Sequence, residues 1–137
     1  MFKTIVIPVD LGHADRLEKA LGVAGDLAAQ YDAAVHVVGV APETPHALGH
    51  TPAEYEARLR AFAADLSDRY GRPVTPHPVI ATDLRIDLDA LLMKASDELG
   101  ADLVVMASHV PGFAEYIFGS NAGTLASHAK MSVFVVR

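Results

Sequence analysis

Residues 3–10 read KTIVIPVD, and the reading of this run decides the fold. Thr4 to Ile7 are consecutive β-branched residues leading into Pro8 and Val9. The segment is apolar without alternation, as in a strand buried on both faces. Asp10, Leu11 and Gly12 end it in a turn. A strand of this kind needs helices above and below it, and the sequence on its C-terminal side supplies them.

From Asp15 to Tyr31, Leu17, Ala20, Leu21, Ala24, Leu27 and Ala28 recur at a helical period, which predicts a first helix. AAVHVVGVA (33–41) repeats the strand signal. The proline-containing loop PETPHALGHTP then ends at Thr51, a helix cap, with Pro52 in the first helical position. Ala53 to Tyr70 reads as the second helix. RPVTPHPVIA (72–81) reads as a strand whose prolines assign it to a sheet edge, where a missing N–H costs least. Ile86 to Leu99 forms a third helix, ADLVVMAS (101–108) a central strand, Gly119 to Lys130 a fourth helix and SVFVVR (132–137) a last strand. Strands alternating with helices pair in parallel through right-handed crossovers. The expectation is one α/β domain over residues 1–137: a doubly wound, five-stranded parallel sheet sandwiched by four helices.

Composition narrows the function classes. The 137 residues carry a formal net charge of −6, which disfavours nonspecific binding to polyphosphate chains. One small anion held by backbone groups is compatible with it. With no cysteine, the chain has no disulfide framework, thiol nucleophile or thiolate metal site. No apolar run approaches the roughly 20 residues of a membrane span, and the N-terminus has no secretory signal pattern, so cytoplasmic residence is expected. The apolar run VFVV near the C-terminus has no later element to cover it, which predicts a homodimer formed along strand 132–136.

In open sheets of this type ligands sit outside the carboxyl ends of the strands, where the strand order reverses. Two stretches meet that description: Pro8, Val9 and Asp10 after strand one, and MASHVPGFAEYIFGSNAG (106–123) after strand four. In the second, Gly119, Ser120 and Asn121 open a predicted helix, whose free N–H groups and dipole attract phosphate. Ser120 or Asn121 as a plain helix cap explains the same residues. Neither a GxxxxGK[ST] phosphate loop nor a GxGxxG after strand one is present, so binding would need another scheme.

TIVIPVD at the start, ADLVVMASH, and GSNAGTLASHAKMSVFVVR at the end together resemble the universal stress proteins, over nearly the whole chain and in order. The resemblance implies homodimers joined through the last strand, bound ATP or AMP in one branch, with or without magnesium, and stress regulation through another protein. The glycine-rich motif of the nucleotide-binding branch is altered: Ala107 and Val110 stand at its first two glycine positions, and residues 111–118 make a shorter spacer before Gly119-Ser120. SHVPGFAEYIFGSNA instead resembles the bacterial F- and G-type subclass, in which a His-x-Pro turn replaces the second glycine. A second departure is ATDLRID (81–87), where many relatives turn on a glycine.

Position by position, the resemblance implies that Asp10 faces the ribose or the adenine edge, with Pro8 and Val9 as an apolar wall. It places the main chain of Val40 at adenine and the backbone of Ala107, Ser108 and His109 along ribose and phosphates. Gly119, Ser120 and Asn121 hold the phosphate tail. Three functions follow: a nucleotide-binding regulator, which is the preferred reading, a slow ATPase or self-modifying enzyme, and a nucleotide-free interaction module, favoured by Ala107 and Val110. No catalytic residue or metal ligand is assigned. His109 fixes its turn in the plainer of two readings and assists phosphoryl chemistry in the other. His46 and His50 stand four apart, but Pro45 and Gly49 place them in a loop. The other histidines, His13, His36, His77 and His128, are scattered, and EYEARLR (54–60) and DELGAD (97–102) read as solvated helix surfaces.

Overall fold

A computed structural model describes residues 1–45, 48–82, 88–108 and 129–137. In chain order the elements are β1 (Thr4–Val9), a 3-10 segment (Leu11–Leu17), α1 (Glu18–Tyr31), β2 (Ala34–Pro42), α2 (Pro52–Tyr70), β3 (Val74–Ala81), α3 (Leu88–Glu98), β4 (Leu103–Ala107) and β5 (Ser132–Val136). The strands form one parallel sheet in the order β3-β2-β1-β4-β5. This is the expected α/β doubly wound architecture. Of the predicted fourth helix, residues 119–128 lie outside the described residues, as do Ile86 and Asp87 of the third.

The run that decided the fold is buried as its composition demanded. Ile5, Val6, Ile7 and Val9 are buried, with β2 on one side and β4 on the other. Val35, Val37 and Val38 of β2 and Leu103 to Met106 of β4 complete the centre of the sheet. Right-handed crossovers put α1 and α2 on one face and α3 on the other. Ala20, Leu21, Ala24 and Ala28 of α1 and Tyr55, Leu59, Ala63 and Leu66 of α2 are buried.

Local chemistry sets the helix ends. Thr51 is extended and its hydroxyl accepts the Glu54 N–H at 3.2 Å, while the Glu54 carboxylate reaches back to the His50 N–H at 2.6 Å. With Pro52 following, this is a capping-box arrangement displaced by one residue. Helix α2 stops at Gly71, whose φ of 63° is the left-handed conformation that glycine adopts without steric cost. The first helix departs from its predicted start. The α-helix begins at Glu18, not Asp15, because Leu11–Leu17 forms a 3-10 segment, kinked at His13 (φ −135°, ψ 36°), which bonds to Asp10.

Strand β3, which carries Pro76 and Pro78 with Pro73 just before it, is at the edge, as expected, paired with β2 from Val35–Val74 to Pro42–Ala81. The start of β1 is tied to the start of β4 by a side chain. The Asp102 carboxylate accepts the N–H groups of Lys3 and Thr4 at 2.8 and 3.0 Å. DELGAD is therefore not only a solvated surface, since its last residue anchors the central strand. Among the described residues no helix is long and apolar enough to cross a membrane.

Candidate functional site

The chain runs outward from β1 to β2 and β3, then returns to β4 on the other side of β1 and continues to β5. The strand order reverses between β1 and β4, so their carboxyl ends border the crevice in which this class of sheet holds ligands. The registered pairs of β1 and β4 are Ile5–Leu103 and Val6–Val104, yet the strands continue to Val9 and Ala107. Pairing gives way before the strands end, and the crevice opens there.

Pro8 and Val9 are buried on one border, and Asp10 begins the turn beyond them. The carboxylate of Asp10 is held from two directions. Its Oδ1 accepts the Gly12 N–H at 3.0 Å, and its Oδ2 lies 2.9 Å from His13 Nδ1. Its carbonyl accepts the His13 N–H at 3.1 Å. An aspartate bonding to the backbone two residues ahead fixes its own turn. The side chain stays 20% exposed, and each oxygen has a second lone pair to offer a hydroxyl or amino group.

On the other border Ala107 ends β4 and Ser108 follows it. The Ser108 N–H donates to the Val136 carbonyl at 2.8 Å, which extends the pairing of β4 with β5 by one bond. Its hydroxyl oxygen is buried and has no partner among the described residues. A buried hydroxyl without a partner costs free energy on the order of 1–3 kcal/mol, so Ser108 Oγ is a candidate to bond a ligand or a residue beyond the described ones. Val40 stands near the end of β2, half-buried and in register with Val79. The structure thus brings Pro8, Val9, Asp10, Val40, Ala107 and Ser108 to the carboxyl ends of three adjacent strands. His109, Gly119, Ser120 and Asn121 lie outside the described residues, as does His46 of the His46/His50 pair.

Two site residues escaped the sequence reading. His13, grouped there with the scattered histidines, is oriented by Asp10. The spacing Asp10-x-x-His13 directly after a strand was the signal for it. Tyr55 sits inside EYEARLR but is 2% exposed, so that segment is not simply a solvated face. Its hydroxyl lies over Gly39, where any Cβ would collide with it. Burial, and secondarily the negative charge of Asp10, push the Tyr55 hydroxyl well above its ordinary pKa, so it keeps its proton at neutral pH. Gly39 is paired with Val9 in register, so Asp10, Gly39 and Tyr55 form one local cluster. Among the described residues no three His, Asp or Glu side chains gather in a metal-holding group.

The family model for universal stress proteins matches residues 1–137. The chain belongs to the universal stress protein family. Universal stress protein G of Salmonella typhimurium is 30% identical over 150 aligned residues, with all of both chains covered. Among solved structures, a universal stress protein from Archaeoglobus fulgidus in complex with dAMP superposes with a TM-score of 0.71 at 21% identity, covering 98% of each chain. A universal stress protein in complex with cAMP gives 0.70 at 21% identity over 99% of this chain and 97% of that one. The G-type resemblance read from the C-terminal half agrees with the full-length relative, and the two solved proteins hold dAMP and cAMP on the same fold.

Proposed function

We propose that this universal stress protein binds an adenine nucleotide, AMP or ATP, in the crevice between β1 and β4, and regulates another protein in that state as a cytoplasmic homodimer. The observation that carries the reading is the convergence on opposite borders of the switch point of Asp10 and the Ser108 hydroxyl, which has no partner among the described residues, on a fold whose structural neighbours hold dAMP and cAMP. The donor set suits such a ligand. Asp10 supplies acceptors for ribose hydroxyls or the adenine amino group, Pro8 and Val40 supply apolar contact, and Ser108 supplies a hydroxyl for ribose or phosphate. Gly119, Ser120 and Asn121 are the proposed phosphate cradle, with the backbone of His109 leading to it. Magnesium, where present, would neutralise phosphate charge.

Ala107 at the usual first glycine position favours a second reading, an interaction module without nucleotide. Calorimetric titration of the nucleotide-free chain with AMP and with ATP decides between them. The expected result is saturable binding that Asp10→Ala and Ser120→Asp each abolish, the second by setting a carboxylate against phosphate. No heat at millimolar ligand would leave the interaction module. Loss of ATP over time in the same samples would separate an enzyme from a binding regulator.

A further inference from the structure

Away from the crevice, two histidines 41 positions apart in sequence meet side by side on β2 and β3, with His36 Nδ1 2.8 Å from His77 Nε2. In the register of the two strands His36 is level with Thr75 and Val38 with His77, so both rings stand on the same face. That face is the one away from α2, since Gly39, of opposite parity, meets Tyr55 and Leu59. The ring centroids are 5.0 Å apart with the planes tilted by 41°. This separation exceeds the nitrogen distance by roughly two ring radii, so the two nitrogens lie close to the line of centres and point at each other. Such a line-up suits a proton between two nitrogens. A shared metal ion would instead need both lone pairs to converge on a third point.

We propose that His36 and His77 form a one-proton clamp that fastens edge strand β3 to β2 and releases when both rings are protonated. In the neutral pair one ring donates its inner N–H to the inner lone pair of the other. A first added proton goes to the outer nitrogen of the donor ring, where it keeps the inner bond but sets a positive charge in a partly buried place, at a desolvation cost. A second has only the accepting lone pair left. It sets two N–H groups and two positive charges face to face, and the clamp opens.

Among the described residues, the surroundings leave this chemistry to the pair. Val6 of β1 is level with His36. A cavity of about 450 Å³ beside His36 also carries Asp32, Arg72 and Thr75, and Arg72 is engaged by the Asp32 carboxylate and the Ala33 carbonyl. Helix α3, packed on β2, carries Asp89, Lys94, Asp97 and Glu98, with Lys94 near Glu98 and Asp97 near Lys130. None of these charges is among the causes of either ring's shift. Burial lowers His36, and burial followed by the charge of His36 lowers His77. Rings held below the ordinary value of 6.5 give stability that is complete above that pH and is lost as pH falls through it toward the folded values.

Amide hydrogen exchange of the full chain between about pH 7.5 and pH 5.5, corrected for intrinsic rates, tests the clamp within one molecule. Opening of β3 should rise relative to β1 by up to about tenfold per pH unit for each imidazole that gains a proton on opening. His77→Gln leaves only His36 to titrate and should clearly diminish that difference. Nitrogen NMR of the wild type at neutral pH should show coupling between Nδ1 of His36 and Nε2 of His77 through the shared proton. Equal pH responses of β3 and β1, an undiminished difference in His77→Gln, or two uncoupled ring nitrogens would each overturn the proposal.

Discussion

The two outer strands of the sheet, β3 and β5, face the same hazard, an open row of backbone hydrogen-bonding groups, and their residues answer it differently. Along β3, Pro76 and Pro78 remove N–H donors two residues apart, on positions of one parity. An edge strand turns alternate N–H groups outward, so prolines spaced by two can spare the inner ladder while blocking an incoming strand. Along β5, SVFVV has no proline and no charge, and Phe134 and Val135 are 44% and 36% exposed. The prolines oppose further pairing at one edge, and the other, among the described residues, offers apolar side chains on a strand paired on one side only. This difference supports the proposed homodimer through residues 132–136 better than the apolar count of the last strand did alone.

The largest effect should come from charging the open edge. Phe134→Asp is expected to convert the proposed dimer to monomer in sedimentation velocity at micromolar concentration, because a charge on an edge strand opposes pairing with a second copy. Thr75→Lys on β3 should leave the mass unchanged. If both variants sediment as the wild type does, β5 is not the interface and the contrast between the edges loses its meaning.

The converse change sharpens the comparison. Replacing Pro76 and Pro78 together by valine restores two donors and two β-formers to β3. The double variant should show concentration-dependent association beyond the dimer in light scattering, while single charges on β5 continue to act independently. An unchanged particle size would mean that something other than the prolines protects this edge.

Behind the closed edge, packing is tighter than the sequence discloses. Gly39→Ala places a methyl against the Tyr55 hydroxyl and the methyls of Leu59. Overpacking of this kind costs about 1–3 kcal/mol, read as a lower urea midpoint. Tyr55→Phe in the same background should recover part of the loss by removing the atom in closest conflict. Failure of that rescue would place the strain on Leu59 instead.

How much of this was legible follows from how far apart the interacting residues lie. KTIVIPV, the Thr51-Pro52 helix start and the proline-marked edge depend on neighbours within a few positions, so pattern alone placed them. The interruption at His13 is also local, but Asp10 bonding to Gly12 and His13 outcompeted helix geometry, which periodicity does not weigh. Tyr55 over Gly39 and His36 against His77 depend on strand register across long sequence separations. A tyrosine between two glutamates looks exposed until the helix is laid on the sheet. At the crevice, the strand-order argument placed Asp10 and the loop that holds Ser108, and the family resemblance gave them roles, whereas the burial of the Ser108 hydroxyl without a partner among the described residues is visible only in three dimensions.

The smallest expected effect tests whether the edges are energetically separate. Thr51→Ala removes the hydroxyl that accepts the Glu54 N–H and should cost about 1 kcal/mol, while Thr51→Ser should cost much less. The lost bond lies at the start of α2, the helix that leads the chain into β3. Local unfolding measured by exchange should therefore increase in α2 and β3 first. Sedimentation should not change, because β5 is attached through β4 on the far side of β1. A cap variant that also weakened the dimer would show that the closed edge and the open edge communicate through the sheet, and charge at Phe134 would then have to be reread as acting on folding as well as on pairing.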